Sequence, residues 1–171
     1  MRTYLKRCGI DRGIRPVINP GGSGFTFVLN SFATQVNSYR CVKARKRVWL
    51  IAIVDADTGT VAQRLGQMDT ALDKFPEPRT RAILIRDEKI ARLVPRRHIE
   101  TWILALNAER VDETEKCKDR IRTDEQWLAR IPAAASTFYQ LTRPNATLPV
   151  DLIDSLRRGV QEMNRLFQMA L

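Results

Sequence analysis

Apolar side chains recur at helical spacing in several stretches of the chain. From Phe25 to Tyr39 they fall on one face of a helix, which predicts that this face is buried. The same pattern runs from Val61 to Phe75, and Pro76 and Pro78 end it. Further helices are expected over residues 2–8, from His98 onward, over 127–141 and from Val150.

Four shorter stretches predict strands. Residues 48–54 (VWLIAIV) form a continuous apolar run rich in β-branched residues, as in a strand buried on both faces of a parallel sheet. Residues 82–85 (AILI), 90–94 and 15–19 (RPVIN) predict three more strands. Strands and helices alternate over the first hundred residues. The pattern therefore predicts an α/β domain over residues 1–107, a mostly parallel sheet flanked by helices, with a helical extension over 108–171 packed on it.

Two carboxylates follow the strand at 48–54. Asp55 and Asp57 stand two residues apart, so along a strand both would point to one face, at the end of the sheet where α/β proteins bind ligands. Two neighbouring carboxylates repel each other, and Mg²⁺ or Mn²⁺ would relieve that repulsion. The alternative is structural: Asp55 ends the strand and Asp57 caps the next helix.

A second candidate segment is PRRHIETW, residues 95–102. Glu100 falls in the first turn of a predicted helix, where the helix dipole favours a carboxylate, and from there it could help to line a metal site. His98 is the single histidine of the chain, which excludes a site built from several histidines. It fits either a helix start or an acid–base role.

Phosphate contacts have weaker candidates. Gly22 and Ser23 lie in a glycine-rich turn before a helix, where backbone amides can approach an anion, although the turn matches no nucleotide-binding motif. Arg64, Arg96 and Arg97 could contact phosphates beside the aspartates. The alternative for Gly22 and Ser23 is a tight turn without a ligand, and the alternative for the arginines is ordinary solvation at the surface.

The charge balance favours an anionic partner. Lys and Arg number 29 against 19 Asp and Glu, a formal net charge of +10. Such a field favours nucleic acid first. Three cysteines, far apart and without CxxC spacing, argue against a disulfide framework and a zinc ribbon. Without an apolar run long enough for a bilayer or a signal-like start, no membrane role and a cytoplasmic location are expected.

Together these segments resemble the TOPRIM-like superfamily, and more narrowly compact bacterial TOPRIM-like proteins. The resemblance rests on the order of elements over residues 2–107, the glycine-rich turn, the DAD sequence at 55–57 and the segment PRRHIETW. It implies a TOPRIM or Rossmann-like fold. Asp55 and Asp57 match the pair that holds Mg²⁺ in the superfamily, and Glu100 matches an acidic position of the compact proteins. The implied chemistry is phosphoryl transfer on a nucleic-acid backbone, such as that of a nuclease.

One position of the family pattern has no counterpart. The superfamily's catalytic glutamate ends a strand before the first helix, whereas this sequence starts in what resembles that helix. Glu88 and Glu100 stand in the wrong chain order to replace it. Three explanations stay open: a start site placed too late, a strand supplied by another chain, or a member without catalysis.

The catalytic and non-catalytic interpretations differ in the expected partners. A catalytic chain would act on nucleic acid with Mg²⁺. A non-catalytic chain would bind nucleic acid through its basic surface, or serve as an accessory subunit whose helical tail docks a partner such as an ATPase. A sheet edge left without its neighbour would also allow a homodimer.

Overall fold

The computed structural model of the chain describes residues 1–21, 24–76, 82–120 and 123–169, with the side chains of residues 82–84 left undescribed. It contains six helices, two strands and two short 3₁₀ helices in these ranges. The elements are α1 (Arg2–Arg7), α2 (Gly24–Val42), β1 (Leu50–Ile53), α3 (Val61–Asp73), a 3₁₀ helix (Ala82–Asp87), β2 (Ile90–Leu93), α4 (Ile99–Leu106), a 3₁₀ helix (Cys117–Arg120), α5 (Asp124–Leu141) and α6 (Asp154–Gln168).

The two strands pair in parallel, and their register fixes the position of the following loops. Leu50 pairs with Ile90 and Ile53 with Leu93. Backbone hydrogen bonds continue past both strand ends, from the Ala56 N–H to the Pro95 carbonyl (2.8 Å) and from the Asp57 N–H to the Arg97 carbonyl (3.2 Å). The loop after β1 therefore runs beside the segment that leads into α4.

Helices cover both faces of this small sheet. Side chains alternate along a strand, so Ile51 and Ile53 of β1 pack against a cluster that includes residues of α1, α4, α5 and α6. Leu50 and Ala52 face the other way, against a cluster formed mainly by α2 and α3. The β2 residue Leu93 is fully buried. The molecule is thus of the α/β type, with a two-stranded parallel sheet between two helical layers.

Two predicted strands are absent, which corrects the sequence-based expectation. Residues 15–19 form no strand, and Pro16, which has no backbone N–H to donate, helps to explain this. Residues 82–85 lie in the 3₁₀ helix Ala82–Asp87. An apolar run of four residues does not by itself distinguish a strand from a helical turn. The predicted strands at 48–54 and 90–94 are confirmed in shortened form as β1 and β2.

The C-terminal helices pack directly on the sheet and on α4. Leu156, Val160 and Met163 on the inner face of α6 are fully buried, as the helical spacing predicts. The indole N–H of Trp102 in α4 donates to Ser155 Oγ at the start of α6 (2.7 Å). The division at residue 107 stays a prediction. Among the described residues, no helix is long and apolar enough to cross a membrane.

Candidate functional site

The Asp55 side chain contacts the N-terminus of α4, although the two are far apart in sequence. Its carboxylate accepts a hydrogen bond from the backbone N–H of Ile99, the first residue of that helix. The residue in the capping position, His98, makes no capping hydrogen bond with its own side chain. Instead its Nδ1 lies 3.8 Å from Asp55 Oδ2, and the imidazole is nearly buried. The aspartate thus provides an acceptor for an N–H group of the first helical turn, which has no acceptor within the helix.

The like-charged neighbour of Asp55 is Glu100. Burial raises the pKa of Asp55 above its ordinary value, and the nearby charge of Glu100 raises it further. His98, Lys118 and the Ile99 N–H act in the opposite direction without reversing the shift. One carboxylate oxygen of Glu100, Oε2, is buried and has no hydrogen-bond partner among the described residues. A buried carboxylate oxygen without a donor is costly, so this position favours a ligand.

Asp57 does not continue the strand, so the expectation that it points to the same face as Asp55 has no support. β1 ends at Ile53, and Asp57 has a left-handed backbone with φ of 55°, so the side-chain alternation of a strand does not extend to it. Two hydrogen bonds join Arg97 to the backbone of Asp57. The Arg97 guanidinium donates to the Asp57 carbonyl (3.3 Å), and the Asp57 N–H donates to the Arg97 carbonyl. The Asp57 side chain is exposed.

The alternative prediction that Asp57 caps the next helix is wrong. Thr60 caps this helix: its hydroxyl accepts from the Gln63 N–H (3.1 Å), while the Gln63 side chain accepts from the Thr60 N–H (2.8 Å). This reciprocal pair is a capping box, so Asp57 is not the cap of α3.

Arg64 supports the loop that carries the aspartates. Its guanidinium lies 3.4 Å from the centre of the Phe25 ring and donates to the Ala56 carbonyl (3.0 Å) and to Gln67 Oε1 (2.9 Å). Burial lowers the pKa of Arg64, while the negative charges of Asp57 and Asp55 oppose that shift. The side chain is buried, so its established contacts are internal.

The remaining predicted contacts lie around this loop or outside the described residues. Arg96 and Arg97 are half-buried beside the end of β2. Gly22 and Ser23 lie outside the described residues. A groove of about 540 Å³ borders the loop and the first turns of α3. It is lined by Ala56, Thr58, Gly59, Thr60, Gln63, Arg64, Gly66, Gln67 and Thr70.

The donors at Asp55 and Glu100 suit a hard divalent cation. Both are carboxylates, and the partnerless Glu100 Oε2 is an oxygen that a cation could take up. Among the described residues, no group of three or more His, Cys, Asp or Glu side chains is arranged to hold a metal. Mg²⁺ binding in proteins often uses only one or two carboxylates, with water and phosphate oxygens completing the shell, and Asp55 with Glu100 fits that mode.

The sequence grouped Asp55 with Glu100 only through the family resemblance, and it gave no reason to place His98 beside them. The signal that brings them together is the parallel register: Ile53 opposite Leu93 sets Asp55 beside the segment that begins at Pro95. Lys118, whose charge also acts on Asp55, was not anticipated, because it stands in a polar stretch with no distinctive pattern.

Comparison of the chain with models of known protein families, with curated proteins and with solved structures finds no match.

Proposed function

We propose that Asp55 and Glu100 hold a divalent cation, Mg²⁺ or Mn²⁺, in a site that acts on the phosphate groups of nucleic acid. The observation that carries this proposal is the buried, partnerless Oε2 of Glu100 close to a second carboxylate whose pKa is raised. Both features disfavour the cation-free carboxylates, and a cation offsets both at once.

The surrounding residues support phosphate as the anion that joins the cation. Arg97 and Arg96 lie at the same end of the sheet, and Asp57 is exposed beside them. When bound, the cation would neutralise charge that develops on a phosphoryl group. The chain's own part would be to fix the two carboxylates, through the Ile99 N–H at Asp55 and the first turn of α4 at Glu100.

The reaction class that we propose is phosphoryl transfer of the TOPRIM-like kind, on a nucleic-acid substrate. The support is the position of Asp55 just after a parallel strand, together with the helices on both faces of the sheet. Asp57 would lie near the cation in such a site, and Arg64 would keep the loop between the two aspartates in place.

Titration calorimetry with MgCl₂ and MnCl₂ tests the cation site. We expect saturable binding by the unaltered chain and its loss in Asp55→Asn and in Glu100→Gln. Asp151→Asn, which changes an exposed aspartate outside this cluster, serves as the matched control and should bind normally. Equal cation binding by all four proteins would contradict the proposal. Cleavage of labelled DNA and RNA, with and without EDTA, then tests the reaction separately.

A second candidate function is nucleic-acid binding without catalysis, which the net charge of +10 favours. This function predicts binding that persists in EDTA and weakens steeply as salt rises, because each phosphate contact releases counterions. Under it, Asp55→Asn should bind DNA at least as well as the unaltered chain, since a negative charge has been removed. Cation-dependent binding that is lost in Asp55→Asn would instead favour the metal site.

A further inference from the structure

A groove of about 580 Å³ runs along one edge of β1. All four residues of the strand line it, from Leu50 to Ile53, and no residue of β2 does. Since β2 occupies one edge of β1, the groove lies along the opposite edge. No strand pairs with this second edge in the part of the chain that the structure describes.

The walls of the groove come from the helical layers that cover the two faces of the sheet. Phe27 and Val28 of α2 form one wall, while Leu166 and Phe167 of α6 line the other side, together with Leu5 of α1. Alternate β1 side chains already pack toward these two sides. The groove therefore lies between the helical layers beside β1, at the position that a further strand of the sheet would take.

The charges that line the groove have a single sign. Four arginine side chains contribute to its lining and no aspartate or glutamate does. They are Arg2, Arg12, Arg15 and Arg47. An apolar floor with a basic rim is complementary to an extended segment that is apolar in its middle and acidic at its ends.

We infer that the groove binds an extended peptide segment of a partner protein, apolar with acidic flanks, as an added strand on β1. Main-chain hydrogen bonds to the open edge would supply affinity, and the apolar walls would select alternate side chains. β1 has four residues, so the segment would pair over about that length and place its acidic residues near the arginines that line the groove.

A second copy of this chain fits the groove less well. A two-fold dimer through this edge would place the same four arginines opposite one another, on chains that each carry a formal net charge of +10. Nucleic acid is also a poorer fit. Its phosphates could reach the arginines, but a nucleic-acid strand has no peptide N–H and C=O groups to pair with the open edge of β1.

The test uses the full chain and a yeast-displayed library of random ten-residue peptides. We expect the enriched peptides to alternate apolar residues in the middle and to carry Asp or Glu at the ends. Synthetic copies should bind in fluorescence anisotropy and protect the backbone amides of residues 48–54 from hydrogen exchange. A copy N-methylated at alternate amides should not bind, because it cannot pair with a strand edge.

Charge reversal tests the basic rim. Arg12 and Arg15 are exposed, so the double variant Arg12→Glu, Arg15→Glu should fold normally and bind the peptide about tenfold more weakly at low salt. The variant Arg143→Glu, which changes an exposed arginine outside the groove, should bind it normally.

Several results would overturn the inference. One is a library that yields no peptide, or only peptides without acidic flanks. Another is equal binding by the N-methylated copy. A dimer in sedimentation equilibrium that protects residues 48–54 would assign the groove to a second copy. Protection of the same residues by a single-stranded oligonucleotide would assign it to nucleic acid.

Discussion

Trp102 lies directly against the backbone of Gly159 where α4 meets α6. A Cβ built at Gly159 would come within 2.3 Å of the indole atom Cη2. Both residues are buried in the cluster that covers one face of the sheet, and the indole N–H is anchored on Ser155. Glycine at this position therefore lets the two helices approach each other closely.

Gly159→Ala should destabilise the fold despite the better helix propensity of alanine. The indole is held by its hydrogen bond, so the helices must separate, which costs about 1–3 kcal/mol of unfolding free energy. The matched control is Gly66→Ala in α3, where nothing lies within 4 Å of an added Cβ. That change should stabilise the protein by up to about 1 kcal/mol. Urea unfolding of both variants gives the comparison, and a stabilised Gly159→Ala would contradict the packing.

Asp55→Asn should raise the melting temperature of the cation-free protein. The raised pKa of Asp55 means that the folded state favours its neutral form. Stability from this group is therefore greatest at low pH, and it falls as pH rises through the interval between the unfolded and folded pKa values. Asparagine keeps an oxygen that can accept from the Ile99 N–H but carries no charge.

The same variant separates the stability effect from cation binding. In differential scanning fluorimetry the unaltered chain should gain stability when MgCl₂ is added, whereas Asp55→Asn should not respond. If Asp55→Asn has a lower melting temperature than the unaltered chain without cation, the charge of Asp55 does not destabilise the folded state.

Glu88 is expected to control acid stability. Burial alone would raise the pKa of Glu88, but hydrogen bonds and charges from Arg40 and Lys43 outweigh it and hold that pKa below its ordinary value. The Arg40 guanidinium lies 2.6 Å from Glu88 Oε2, with both side chains almost fully buried. The stability from this group is present above the ordinary glutamate pKa, and it is lost as pH falls below that value toward the folded pKa.

Glu88→Gln should therefore cost about 3–5 kcal/mol at neutral pH, because Arg40 loses its buried counter-charge. It should also flatten the loss of stability on acidification. Glu115→Gln is the control: Glu115 pairs with Arg120 at the surface, and its loss should change stability by less than about 1 kcal/mol. Chemical denaturation at several pH values between neutral and acid tests both expectations.

Arg64→Met should loosen the loop between the two aspartates. Methionine keeps an apolar stem against Phe25 but cannot donate to the Ala56 carbonyl or to Gln67. Loss of these bonds should cost about 1–3 kcal/mol. Faster hydrogen exchange of the Ala56 and Asp57 amides, with unchanged exchange in β2, would indicate a local effect. Unchanged exchange of both amides would show that Arg64 does not stabilise this loop.

The elements that the sequence predicts well are those whose pattern is decided by burial. Helices α2, α3 and α6 follow the apolar spacing because one face of each packs on a core cluster. The error at residues 82–85 has the opposite cause, since four apolar residues suit a strand or a 3₁₀ turn equally well. Long-range pairing, which the local pattern does not contain, decides between them.

The residues of the candidate site could be predicted one by one, but the local sequence pattern did not contain their arrangement. Asp55 and Glu100 could be identified from their positions after a strand and in a first helical turn. Their proximity depends on the register of β1 and β2, which no short segment encodes. The local pattern also did not predict the left-handed backbone of Asp57, whose carbonyl accepts a hydrogen bond from Arg97.

The hydrogen bond from the Ile99 N–H to Asp55 also has a consequence for folding. The two residues are far apart in sequence, so α4 obtains this acceptor only after β1 and β2 have paired. An isolated peptide that spans α4 would lack it and should be poorly helical, since the helix has only eight residues. The carboxylate cluster therefore cannot form before the two strands pair, and its presence reports that the native sheet has assembled.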